Sequence, residues 1–174
     1  MSELLDGDIV LVHARWWLRW LCAYDHAAIV WRRPIIPDEW DCYTVEAGMT
    51  GVRSWRMGNW GRGYTVVRPF TPSNERGRSL GYQAANAALR MQGTVYGWMR
   101  FARVIIRMVR RRLARFLPKK MVAAQVGVVC SELVALSWQL VGVELCPGVR
   151  TPSPDDLFDA VSGRRAEVVG EYAA

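Results

Sequence analysis

Two stretches, Gly7-Asp8-Ile9-Val10-Leu11-Val12 and His26-Ala27-Ala28-Ile29-Val30-Trp31-Arg32, decide the fold class. Each is a short apolar run rich in β-branched residues, the first after a Gly-Asp turn, and each reads as a buried strand. Three further runs follow within the first 70 residues: CYTVEAG from Cys42, GVRSWRM from Gly51 and GYTVVRPF from Gly63. Gly or Pro bounds each of them. About five short strands with connections this short favour antiparallel neighbours over crossover units. Between the first two runs, Trp16, Trp17, Trp20 and Leu21 recur at helical spacing, which predicts a short helix within residues 13–25. The stretch WRRPIIPDEWD, residues 31–41, carries two prolines and predicts a loop.

The second half changes character. Thr71-Pro72-Ser73 is a helix-start signal, and Ala84, Ala85, Ala87, Ala88, Leu89 and Met91 extend that helix to about Gly93. Residues 127–143, GVVCSELVALSWQLVGV, predict an apolar helix. A last short helix starts near Pro154, with Thr151 or Ser153 as the cap. Strands first and helices after define an α+β chain. No Gly- or Ser-rich linker divides it, so residues 1–174 are expected to form one domain.

The chain has 174 residues, enough to bury a core without staples, and 51% hydrophobic against 22% charged residues is a globular balance. Cys22, Cys42, Cys130 and Cys146 form no C-x-x-C pair, which argues against a disulfide scaffold and a structural zinc site. Two His without matching carboxylates make no metal centre, and no glycine-rich phosphate loop is present, so neither metal nor cofactor is expected. The opening MSELLDGDIV has no basic start before an apolar run, and no stretch approaches a membrane-spanning length. A cytoplasmic or peripheral membrane location, with cysteines as thiols, is the expectation.

The net charge of +7 is concentrated in one place. Residues 100–120 hold nine Arg or Lys and no acid, leaving 14 basic against 16 acidic residues elsewhere. Within residues 98–117, Phe101, Val104, Ile105, Met108, Val109, Leu113, Phe116 and Leu117 recur at helical spacing among the arginines. This predicts a cationic amphipathic helix broken at Pro118. It fits a surface helix with solvated arginines, or a peripheral helix on an anionic membrane surface. It also fits a phosphate-binding segment, but few aromatics are present to stack on bases, which argues against nucleic acid. The tryptophan cluster beside Arg15 and Arg19 suits a membrane–water boundary, a packed core or a cleft wall.

Chemistry centres on Val129-Cys130-Ser131-Glu132. A Cys at a helix start meets unpaired backbone N–H groups and the positive end of the dipole, which favour thiolate and receive an oxyanion. The alternative is a small buried apolar Cys. A thiolate nucleophile needs a base and a group to orient it. His26 opens the second strand run, and Glu46 sits mid-strand in Tyr43-Thr44-Val45-Glu46-Ala47. Consecutive strands that pair bring the two side chains together across the ladder. Read separately, each also fits a solvated strand position.

The order Gly7-Asp8-Ile9-Val10, Asp25-His26-Ala27-Ala28-Ile29-Val30, Val45-Glu46-Ala47, Tyr96 and Val129-Cys130-Ser131-Glu132-Leu133 resembles the circularly permuted branch of the NlpC-type papain-like cysteine peptidases and amidases. Lecithin–retinol acyltransferase-like enzymes are related to that branch. The resemblance spans residues 7–160. It implies a papain-like α+β domain with the nucleophile helix after the sheet, Cys130 as nucleophile, His26 as general base and Glu46 as the orienting group. Tyr96 resembles a tyrosine that precedes the Cys helix and lies near the site. Gly97 replaces the Asp that usually follows it, and Asp25 stands where a small hydroxyl residue is common. The implied activity is a thiol hydrolase acting on an amide bond of a peptide or cell-wall peptide. The alternatives are a lipid acyl hydrolase or acyltransferase at a membrane surface, and an inactive membrane-binding module.

Overall fold

The computed structural model describes residues 3–36, 39–57, 61–97, 102, 128–163 and 167–172. The expected amphipathic helix over 98–117 lies outside them, Ala102 apart. The described chain is α+β. Six strands run β1 Ile9–His13, β2 Tyr24–Ile36, β3 Glu39–Gly48, β4 Gly51–Arg56, β5 Tyr64–Arg68 and β6 Glu167–Tyr172. Three helices follow the first five strands: α1 Glu75–Arg90, α2 Cys130–Gln139 and α3 Pro154–Ser162. The sheet order is β4-β3-β2-β1-β5-β6, with every pairing antiparallel.

β1 and β2 lie at the centre of the sheet, which is why their sequences are continuous apolar runs and do not alternate. One face, with Ile9, Leu11, Ala27, Ile29, Val45 and Ala47, packs on Ala84 and Ala88 of α1, Leu133, Val134 and Trp138 of α2, and Leu157 of α3. The other face buries Val10, Ala28, Val30 and Val66 with Val169 of β6. Each fully buried aliphatic side chain stabilises the fold by about 1.5–3 kcal/mol.

The sequence expectations need four corrections. The sheet has six strands, not five, because β6 adds to the free edge of β5 from the far end of the chain. The residues 31–41 expected as a loop are largely strand, since β2 and β3 continue to Ile36 and from Glu39. Pro34 is tolerated because it shares the parity of Val30 and Arg32. Their N–H groups point away from β3, to the Asp8 carbonyl and to Asp6 Oδ1. The donor Pro34 lacks therefore falls on the side where β1 has already ended. The helix expected within 13–25 is a three-residue 3-10 turn, Trp16–Leu18, that buries none of its residues. Finally, α1 is capped by Asn74, which accepts from the Arg76 N–H, one residue beyond the Thr71-Pro72-Ser73 signal.

α3 follows its sequence signal closely. Ser153 caps it, Pro154 occupies its first turn, and Ser153 and Asp156 form a reciprocal capping box. At the entry to β1, Asp8 and Arg68 form a buried bidentate pair, Nε to Oδ1 and Nη2 to Oδ2, both 2.8 Å. Asp8 also accepts from the Leu5 N–H at 2.9 Å, so the charges are compensated where water does not reach. Among the described residues, no helix is long and apolar enough to cross a membrane.

α1 approaches this entry turn backbone to backbone. A Cβ at Gly7, which has φ +88°, would collide with Gly81 of α1, and a Cβ at Gly81 would collide with the Asp6 carbonyl. Helix propensity alone predicts that Gly81→Ala gains about 1 kcal/mol. The collision reverses the sign, and a net loss of about 1–3 kcal/mol is expected in urea unfolding. A gain would show that the helix has room to withdraw.

Candidate functional site

The site forms where α2 points its first turn at the start of β2. The strand register sets one half of it. Ala28 of β2 stands opposite Glu46 of β3, so His26 lies one diagonal step from Glu46, within reach of long side chains. His26 Nε2 and Glu46 Oε2 are 2.6 Å apart. Beside His26, the β1–β2 ladder slips. Val12 faces His26 and His13 faces Tyr24, which leaves Asp25 as an unpaired bulge residue. The start of β2 is fixed from α3, whose Asp155 accepts from the Tyr24 N–H at 2.9 Å and the Ala23 N–H at 3.3 Å.

The other half comes from α2. Val129 is its N-cap and supplies no side-chain bond, so the first backbone N–H groups remain available around Cys130. Val129 is itself fixed by packing against Leu21, Cys22 and Tyr96. Cys130 is buried, 5% exposed, with its sulfur hydrogen-bonded to the His26 ring and to the backbone N–H groups of Ala27 and Ser131. His26 Nε2 is engaged by the Glu46 carboxylate. Three residues far apart in sequence thus touch in series: sulfur, imidazole, carboxylate.

The electrostatics follow from these contacts. Burial opposes a thiolate at Cys130, but the His26 imidazolium, its hydrogen bond and the two backbone donors outweigh burial and lower the thiol pKa. Burial likewise opposes charge on His26, yet the Cys130 sulfur and the Glu46 carboxylate push it up to about 10. Each charge thus favours the other, and the contacts shift the pair toward thiolate and imidazolium. Tyr96 is held nearby by a parallel bridge to Val128. Burial and then the Cys130 sulfur raise its phenol pKa, so it keeps its proton.

Cys130, His26, Glu46 and Tyr96 are thus brought together. His13 is not among them, since its Nε2 lies 2.9 Å from the Thr65 hydroxyl. All four cysteines are free thiols. No cluster of His, Cys, Asp or Glu among the described residues has the form of a metal site.

The sulfur and the imidazole line a cleft of about 300 Å³ whose walls include Trp17, Leu18, Cys22, Met49 and Pro154. Its polar wall is a feature that the motifs do not show. The bulged Asp25 pairs with Arg62 at 2.6 Å and accepts from the Arg15 N–H at 3.1 Å, and Asp25, Arg62 and Arg15 all line the cleft. The only signal for this in the sequence is Asp25 at a position where a small hydroxyl residue is common.

No protein-family model matches this chain, and no curated protein matches it.

The cysteines are expected to separate sharply in reactivity. Burial, with Asp155 and Asp25 nearby, raises the Cys22 thiol to about 11, and burial also raises Cys42. At pH 7, iodoacetamide should alkylate Cys130 at least about tenfold faster than Cys22 or Cys42, as read by peptide mass spectrometry. His26→Ala should abolish that advantage. Uniform slow labelling of the native protein would contradict the ion pair.

Proposed function

We propose that this protein is a cysteine-dependent hydrolase of the circularly permuted papain-like kind, cleaving an amide bond of a peptide or cell-wall peptide. The observation that carries the reading is the series of contacts from Cys130 through His26 to Glu46 along an open cleft. The order of elements supports the permuted arrangement, since β2 and β3 bring the base and the carboxylate before α2 brings the sulfur.

The chemistry runs as follows. The Cys130 thiolate attacks the substrate carbonyl, forming a C–S bond and a tetrahedral oxyanion. Backbone N–H groups at the start of α2 receive the oxyanion, with the neutral Tyr96 phenol beside them. The His26 imidazolium gives its proton to the departing amine as the C–N bond breaks, leaving a thioester. Neutral His26 then takes a proton from water, and the hydroxide attacks the thioester. The acid departs, and thiolate and imidazolium are restored. Glu46 keeps the ring oriented with one nitrogen toward the sulfur throughout.

A second reading has a specific observation behind it. The cleft walls are largely apolar, and Trp17 and Met49 are exposed at its margin. A fatty acyl chain suits such walls, which supports a lipid acyl hydrolase or acyltransferase. Activity-based labelling with peptidyl and fatty-acyl electrophiles separates the two. Faster labelling of Cys130 by the peptidyl probe is expected. Faster labelling by the fatty probe selects the lipid reading, and labelling by neither leaves a binding module without catalysis.

The pH dependence of turnover has a defined shape. Activity should fall on the acid side as the lowered Cys130 thiol takes up its proton, and on the alkaline side near pH 10 as His26 loses its own. Cys130→Ala should remain folded and lose all turnover. Glu46→Gln should lower kcat on the order of a hundredfold, because the amide no longer fixes the ring or balances its charge.

A further inference from the structure

Trp16, Trp17 and Trp20 are 82%, 49% and 62% exposed, although tryptophan is the side chain with the largest apolar area to remove from water. They sit on or next to the 3-10 turn, none of whose residues is fully buried and of which Leu18 packs inward on the Ala14, Leu21 and Cys22 cluster. The turn is nevertheless held in shape. The Ala14 N–H bonds to the Ala23 carbonyl at 2.8 Å, Leu18 N–H to Arg15 at 2.8 Å, and Leu21 N–H to Leu18 at 2.8 Å. Ala14, Leu21 and Cys22 anchor it from behind, packed on Val129. Three indoles are therefore presented to solvent on a pinned base, which is an arrangement for insertion into something outside the molecule.

Charge indicates what that something is. No Asp or Glu occurs between Ala14 and Tyr24, while Arg15 and Arg19 stand exposed among the tryptophans. The first acid beyond, Asp25, is already held by Arg62. Indoles interleaved with guanidinium groups match the layer where acyl chains meet phosphate headgroups, apolar below and anionic above. The same cleft is bordered by a second exposed apolar side chain, Met49 at the β3–β4 turn, which is 74% exposed.

We infer that the Trp16–Trp20 turn docks the protein on an anionic lipid bilayer, with the cleft opening toward the headgroups. Docking does not depend on catalysis, so Cys130→Ala should bind vesicles as the native chain does. A failure of docking and a failure of the hydrolase reading are thereby distinguishable.

The test is co-sedimentation of the full chain with phosphatidylcholine vesicles, with and without phosphatidylglycerol. Binding is expected only to the anionic vesicles and is expected to weaken with salt. Trp16 and Trp20 are not among the cleft-lining residues, and the double variant Trp16→Ser/Trp20→Ser should reduce partitioning about tenfold or more. Its melting temperature checks that it folds. If it does not, quenching of native tryptophan emission by brominated lipid decides the question, and quenching is expected. The inference is overturned by equal binding to neutral vesicles or no binding. It is also overturned if the folded double variant binds undiminished, which would place the attraction elsewhere on the chain. A concentration-dependent dimer that the variant dissolves would overturn it in favour of self-association.

Discussion

The imidazole of His26 is the group on which the described arrangement turns, because it alone touches both the sulfur and the carboxylate. A charged ring in so enclosed a place is costly unless anions stand on both sides of it. The fold supplies them from different directions: Glu46 from the neighbouring strand, and Cys130 from the tip of a helix. Each is then fixed by something else. The carboxylate is set by strand register, where a one-residue slip would send it to the other face of the sheet. The sulfur is set by Val129, buried against Leu21, Cys22 and Tyr96. The geometry is thus over-determined by parts of the structure that have no chemistry of their own.

Much of this was legible in the residues because the governing signals are local or depend on pairing neighbours. The apolar runs at Ile9 and Ala27 mark central strands since both faces of the sheet are covered. His26 and Glu46 were readable as partners because strands consecutive in sequence tend to pair. Ser153, Pro154 and Asp156 announce α3 through capping chemistry confined to a single turn. The α+β class followed from the order of those signals.

What escaped reading depends on distant parts of the chain. β6 is six residues near the C-terminus with only two adjacent valines, and it becomes a strand because β5 offers an open edge. Pro34 sits within a strand because β1 ends before reaching it. The tryptophan spacing imitates an amphipathic helix, yet the turn is shaped by backbone bonds to Ala23 and by Leu21 behind it, and the indoles face outward. The pairing of Asp25 with Arg62 requires a bulge that no motif encodes. In each case the deciding partner is a strand end, an edge or a side chain remote in sequence.

The placement of α2 after the sheet has a consequence for biosynthesis. As the polypeptide leaves the ribosome, the carboxylate and its imidazole emerge with the early strands, and the sulfur emerges much later. A growing chain can therefore assemble most of its sheet while holding only a histidine–glutamate couple. The thiol gains its partners only once α2 docks, and Asp155 can secure the start of β2 only after α3 has been made. Whatever reactivity the sulfur has is withheld until the strands that carry its partners have already been made, so a product that stops before α2 carries the couple without the thiol.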